Sequence, residues 1–125
     1  MKDEQREKLF ELIGDPDAVA MLETLGKASQ AADDIYDGDS SITNQSHVTT
    51  LLVALMAELP ANPFYMAHYQ TLIPLLRQSL YGWLASNELR SDPRNRGRIV
   101  AFTIRDLLAS VVLECVDICL SLIHI

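Results

Sequence analysis

The chain has few of the residues that dominate disordered, fibrous or disulfide-bonded proteins. Its 125 residues include five glycines, five prolines and two cysteines, and 49% of them are hydrophobic. This composition excludes a disordered or fibrous chain and supplies enough apolar surface for one buried core. Strand-like alternation of apolar and polar residues is also missing from the sequence. We therefore predict a single all-α domain over residues 1–125, a bundle of four to five mostly antiparallel helices.

The two cysteines argue against disulfide and zinc chemistry. Cys115 and Cys119 lie four residues apart in a strongly apolar stretch. Residues on adjacent turns of one helix do not easily meet disulfide geometry, and two thiolates alone do not make a zinc site. We expect reduced, buried thiols, which indicate a reducing compartment. Because the N-terminal residues are charged and Glu114 and Asp117 interrupt the apolar C-terminal stretch, we predict a cytoplasmic protein without a membrane partner.

Positive charge is scarce in the first third of the chain. Residues 1–39 carry eleven acidic and four basic residues, a net charge of −7. The next segment, 40–89, has a net charge of −1, and residues 90–125 have +1. Because the acidic N-terminal third would repel a polyanion, we expect no nucleic-acid partner.

Apolar spacing and turn residues divide the chain into helices. The pattern predicts helices over 3–13, 16–37, 47–59, 64–89 and from about 98 to the end, with a loop over 38–46, a kink near Pro74 and a basic loop over 90–98. Asp15 and Pro16 are typical of the N-cap and first turn of the second helix. The expected core contains Leu22, Leu25, Leu52, Leu55, Leu76, Leu80, Leu108, Val111 and Val112.

The densest group of carboxylates closes the second predicted helix. It is the run Asp33-Asp34-Ile35-Tyr36-Asp37-Gly38-Asp39. On a helix, Asp33 and Asp37 share a face, so their carboxylates repel each other unless a cation offsets the charge. The helix dipole also disfavours anions at this end. Since Mg²⁺ prefers oxygen ligands of this kind, the cluster predicts either a bound cation or a solvated helix end.

The last predicted helix carries a narrow polar stripe on an otherwise apolar surface. The stripe consists of Asp106, Ser110, Glu114, Asp117 and Ser121, which fall within about 90° of one another at 100° per residue. A helix that is apolar over most of its circumference is largely buried. The stripe therefore predicts either a solvated strip or an internal cavity lined by metal ligands.

Two short motifs resemble those of class I isoprenoid synthases. The run Asp33-Asp34-Ile35-Tyr36-Asp37 resembles their aspartate-rich motif, DDxxD. The spacing of Asp106, Ser110 and Glu114 is similar to the (N/D)xxx(S/T)xxxE metal motif of the terpene cyclases. In that family the two motifs face each other across an all-α cavity, where they hold Mg²⁺ that binds the substrate diphosphate and assists its departure.

The resemblance implies a role for each of these residues. Asp33, Asp34 and Asp37 would hold Mg²⁺ from one wall of the cavity. Asp106, Ser110 and Glu114 would hold it from the other. The resemblance also implies a diphosphate-containing small molecule as ligand, and the basic loop could supply Arg94, Arg96 and Arg98 to its oxygens.

Two other interpretations stay open. Glu114-Cys115-Val116-Asp117 resembles the ExxD helix of the MazG-like all-α nucleotide pyrophosphohydrolases, a family that also uses an ExxE pair on a preceding helix. The segment that would supply this pair, 47–89, contains the glutamates Glu58 and Glu88, which are too far apart in sequence to form an ExxE pair.

The other interpretation is a non-enzymatic helical protein, such as an adaptor, a phage-type accessory protein or an oligomerising domain. In that case the aspartates form a solvated helix end, and the apolar C-terminal helix is the expected surface for homo-oligomers. No Ser-His-Asp order and no glycine-rich phosphate loop stands out in the sequence. Because the chain ends at Ile125 within an apolar pattern and without a cap, we expect a longer natural protein or a docked C-terminus.

Overall fold

The structure, a computed structural model, describes residues 3–37, 41–89 and 109–124. All regular structure in these ranges is helical, which confirms the all-α fold. The elements are α1 (Asp3–Ile13), α2 (Pro16–Asp37), α3 (Ser41–Val53), a π turn (Ala54–Glu58), α4 (Leu59–Ala61), α5 (Pro63–Leu89) and α6 (Ala109–His124). The chain divides into two compact units, Met1–Ala67 and His68–Ile125.

The turn between α1 and α2 is built from local signals. Gly14 adopts a φ of 78°, the left-handed region in which glycine has no Cβ penalty, and its N–H donates to the carbonyl of Phe10 at 2.7 Å. The Oδ1 of Asp15 then accepts the backbone N–H groups of Asp17 and Ala18 at 2.8 and 3.3 Å. These bonds confirm the predicted N-cap.

Helices α2 and α3 run antiparallel. Three contacts join them and the segment that follows α3: His47 Nε2 to Asp34 Oδ2 at 3.8 Å, Lys27 Nζ to Glu58 Oε2 at 3.5 Å, and Asn62 Nδ2 donating to the Asp17 carbonyl at 2.9 Å. Along this series the residue numbers fall in α2 as they rise in the other segment. The first unit is therefore an up-and-down helical arrangement with α2 in contact with both α1 and α3.

Helix α2 supplies most of the core of the first unit. Its buried side chains are Ala18, Val19, Met21, Leu22, Leu25, Ala28 and Ala31, joined by Ile13, Ala54, Leu59 and Phe64 from the other elements. The burial of Leu22 and Leu25 confirms two of the predicted core positions. The alanines matter because small side chains let a second helix approach closely.

The prediction that Leu52 and Leu55 belong to the core is wrong. They are 56% and 39% exposed, whereas Ala54 between them is 1% exposed. The π turn provides the physical reason, because the N–H of Leu59 bonds to the carbonyl of Ala54, five residues earlier. This geometry places Ala54 and Leu59, which are both buried, on the same side of the π turn. The line of Leu52 and Leu55 is rotated by about 100° from the line of Leu51 and Ala54.

Helix α3 also begins earlier than predicted, since Ser41 to Ser46 are helical rather than part of a loop. Polar side chains one turn later form hydrogen bonds within the same helix. The hydroxyl groups of Thr49 and Thr50 donate to the carbonyls of Gln45 and Ser46, one turn earlier, at 3.0 and 3.1 Å. Polar composition alone was therefore a misleading sign of a loop.

Helix α5 departs from helical geometry at His68, with φ −125° and ψ 16°, and the two units divide there. The kink was expected near Pro74, but the departure from helical geometry lies six residues earlier, and Pro74 itself lies inside the helix. Leu72 is fully buried, Leu76 is half-buried, and Leu80 is 54% exposed. Leu80 was wrongly placed in the core, because it lies about 80° around the helix from Leu72.

Helix α6 buries one line of side chains. Val111, Cys115 and Cys119, spaced four residues apart, are all buried, as predicted for Val111 and for both thiols. Val112 is half-buried, and Leu108 lies outside the described residues. Within the described ranges, no helix combines the length and the apolar character needed to cross a membrane.

Candidate functional site

The acidic end of α2 is where the sequence predicts a metal site. Asp33 and Asp34 lie half-buried in its last two turns, and Asp37 is its final residue. The Asp34 carboxylate has protein partners on both oxygens. Gln30 Nε2 donates to its Oδ1 at 3.0 Å, and His47 Nε2 lies 3.8 Å from its Oδ2. Asp34, one of the predicted metal ligands, is therefore already in contact with the amide of Gln30 and the imidazole of His47.

The second predicted ligand set is only partly described. Ser110 and Glu114 lie half-buried on the first turns of α6, one turn apart, so the structure brings these two together. They belong to the second unit, whereas the α2 aspartates belong to the first. Asp106 and the predicted diphosphate ligands Arg94, Arg96 and Arg98 lie outside the described residues.

Among the described residues, 3–37, 41–89 and 109–124, no group of three or more His, Cys, Asp or Glu side chains is arranged to hold a metal ion. Asp33 and Asp34 do offer carboxylate oxygens, the donors that Mg²⁺ prefers. The chemistry of these two residues therefore suits Mg²⁺, and the magnesium site stays a prediction.

Glu58, Glu114 and Asp117 are among the acidic residues that bear on the pyrophosphohydrolase interpretation. Glu114 is half-buried and Asp117 is exposed on α6. The Glu58 carboxylate accepts a hydrogen bond from the Thr24 hydroxyl at 3.3 Å and pairs with Lys27. Through these two contacts Glu58 links the π turn to α2, a structural role that the sequence did not indicate.

The feature that the sequence analysis missed is an exposed apolar surface on α3 and the π turn. We call it the α3 apolar face, and it consists of Val48, Leu52, Val53, Leu55 and Met56, with exposed fractions of 41, 56, 46, 39 and 74%. The apolar pattern led us to expect two of these side chains, Leu52 and Leu55, in the core. A signal was present nonetheless, because residues 40–57 contain no Asp, Glu, Lys or Arg.

The neutrality of this segment matters for its exposure. An exposed helix face ordinarily carries charged residues. The α3 apolar face instead presents large aliphatic side chains beside uncharged Gln45 and Thr49, both exposed. Contiguous exposed apolar patches of this kind mark interaction sites on folded proteins.

Among protein-family models, curated proteins and solved structures, none matches this chain.

Proposed function

We propose that the chain is a non-enzymatic helical interaction protein that self-associates through the α3 apolar face. The observation that supports this is the exposure of Leu52 and Met56, at 56% and 74%, within a stretch, residues 40–57, that contains no Asp, Glu, Lys or Arg. Water contact at such side chains is unfavourable, by about 25 cal/mol for each Å² of apolar surface. Covering them with a second helix recovers that free energy.

The charge distribution favours a second copy of the chain as the partner. Each copy has a net charge of −7, and residues 1–39 alone account for a charge of that size. An interface built on α1 or α2 would bring like charges together. Residues 40–57 avoid this, because two neutral faces meet without electrostatic repulsion. A two-fold axis through the face would place apolar residues against apolar residues.

The size of the face suits the centre of an interface. From Val48 to Met56 it extends about 12 Å along the helix axis, at 1.5 Å per residue. A standard interface buries about 800 Å² per partner and has an apolar centre with a polar rim. Gln45 is exposed three residues before Val48, and its side-chain amide can supply hydrogen bonds at such a rim.

The test is the molar mass in solution, measured by sedimentation velocity at increasing protein concentration. We expect the wild-type chain to form a dimer and Leu52→Glu to be monomeric, because a buried unpaired carboxylate is strongly unfavourable in an apolar interface. The matched control is Leu113→Glu on α6, where the leucine is 69% exposed.

The control also tests the expectation that homo-oligomers form through the C-terminal helix. A dimer that Leu113→Glu disrupts while Leu52→Glu leaves it intact would move the interface to α6 and contradict our assignment. A wild-type chain that stays monomeric at all concentrations would contradict self-association itself. Circular dichroism of each variant establishes that the helices are intact.

Magnesium–diphosphate binding at the end of α2 is a second candidate function. It is supported by the half-buried position of Asp33 and Asp34 and by the location of Asp37 one turn later. If the resemblance to the isoprenoid synthases extends to binding, these carboxylates would hold Mg²⁺. Asp106, Ser110 and Glu114 would add the second set, and Arg94, Arg96 and Arg98 would bind the anion.

This candidate predicts ligand-dependent stability. Mg²⁺ with inorganic diphosphate should stabilise the protein by about 2.7 kcal/mol at a hundredfold excess over Kd, read as a rise in Tm. The double variant Asp33→Asn, Asp37→Asn should lose that rise. Its charge-matched control, Glu4→Gln with Asp17→Asn, should keep it. The same Tm with and without the ligands in the wild type, or the same response in both variants, would count against the site.

A further inference from the structure

A groove of about 520 Å³ lies on the first unit, between α1 and the start of α2. One wall is a line of three exposed carboxylates on α1, from Asp3, Glu7 and Glu11. Their spacing of four residues puts them on one side of the helix. The line is about 12 Å long, which corresponds to two to three turns of a helix lying beside it.

The same groove is also lined by apolar side chains. These are Phe10, which is 49% exposed, the exposed Pro16, and Val19, which is buried. A half-exposed aromatic ring in a recess is the kind of anchor on which protein interfaces depend. The groove thus combines an apolar contact surface with a line of negative charge along one edge.

The basic residue of the groove does not neutralise that edge. Arg6 Nε lies 2.7 Å from Glu23 Oε1, so its charge is offset by a carboxylate outside the groove lining. The groove lining thus holds three carboxylates and one guanidinium, a net negative charge. An anionic partner would be repelled, and a cationic one would be attracted.

We infer that this groove binds a cationic amphipathic helix from a partner protein. Its apolar residues would lie against Phe10 and Val19, and lysines or arginines one turn apart would pair with Glu7 and Glu11. Both helices have the same 3.6-residue period, so charges at four-residue spacing match along the groove. This mode of binding, an amphipathic helix in a groove, is separate from the self-association proposed for α3.

The inference is tested with a synthetic, fluorescently labelled amphipathic peptide of leucine and lysine, and binding is followed by fluorescence anisotropy. We expect saturable binding to the wild-type chain. Glu7→Gln with Glu11→Gln should raise Kd about tenfold, because two charge-assisted contacts are lost. Phe10→Ala should raise Kd about as much, because the apolar anchor is removed.

Two matched controls separate groove binding from general attraction. Glu4→Gln with Asp17→Asn removes the same total charge from exposed residues outside the groove lining and should leave Kd nearly unchanged. Leu12→Ala truncates an exposed apolar residue of the same helix, 59% exposed and outside the groove lining, and should also be silent. Equal losses in the charge controls, or in Leu12→Ala and Phe10→Ala, would overturn the inference.

The α3 variant distinguishes the two proposals. Leu52→Glu should bind the peptide with the wild-type Kd, whatever its oligomeric state, because Leu52 does not line the groove. Weaker binding by Leu52→Glu would show that the peptide uses the α3 apolar face and would overturn the groove assignment. Absence of saturable binding by the wild-type chain would overturn it as well.

Discussion

Replacing Met21 with alanine is expected to lower the free energy of unfolding by about 2–5 kcal/mol. The Met21 side chain has no solvent exposure and lies in the middle of the buried side of α2. Truncation removes its apolar contacts and leaves a cavity, which the helices on either side of α2 can fill only in part. Alanine itself is a good helix former, so the loss is attributable to packing rather than to helix propensity.

The matched control for this change is Met66→Ala. Met66 is 60% exposed, and the same truncation there should change stability by less than about 0.5 kcal/mol. Urea denaturation followed by circular dichroism measures both variants. Losses of similar size at the two methionines would contradict the arrangement in which α2 is the central helix of the first unit.

Replacing Ala54 with leucine is expected to cost about 1–3 kcal/mol of stability. Ala54 is 1% exposed at the start of the π turn, and the π turn is in contact with α2. The added atoms have no space on the packed side, so the π turn and α2 must separate or the new leucine side chain must leave its preferred rotamer. This variant tests which face of α3 meets α2.

The control is Ala57→Leu, at an exposed position of the same π turn. There the larger side chain extends into water and should leave the free energy of unfolding within about 0.5 kcal/mol of the wild type. If Ala54→Leu were neutral and Ala57→Leu destabilising, this segment would be rotated so that the side of Ala57, about 60° or more around the helix from Ala54, faced α2. The α3 apolar face could then no longer be the exposed surface.

The end of α1 and the start of α2 were determined by the sequence. Gly14 ends one helix by adopting positive φ, and Asp15 begins the next by accepting two backbone N–H groups. These signals act within a few residues, so they require no knowledge of distant contacts. For the same reason the position of Asp33 and Asp37 near the end of α2 could be predicted.

The choice of the packed face of α3 could not be predicted in this way. Leu51 and Leu52 belong to adjacent lines of the helix, and apolar periodicity does not favour one line over the other. The π turn and the anchoring of Glu58 to Lys27 and Thr24 select the line that contains Ala54. That choice leaves Leu52 exposed and so creates the surface on which the proposed self-association depends.

The candidate sites divide in the same way. The sequence determined that carboxylates recur every fourth residue on α1 and cluster at the end of α2, because spacing along one helix is a local property. Only the tertiary structure placed Phe10 beside Val19 to form a groove and brought His47 within 3.8 Å of Asp34. Such contacts join separate helices, and they depend on how whole surfaces pack, which no local pattern encodes.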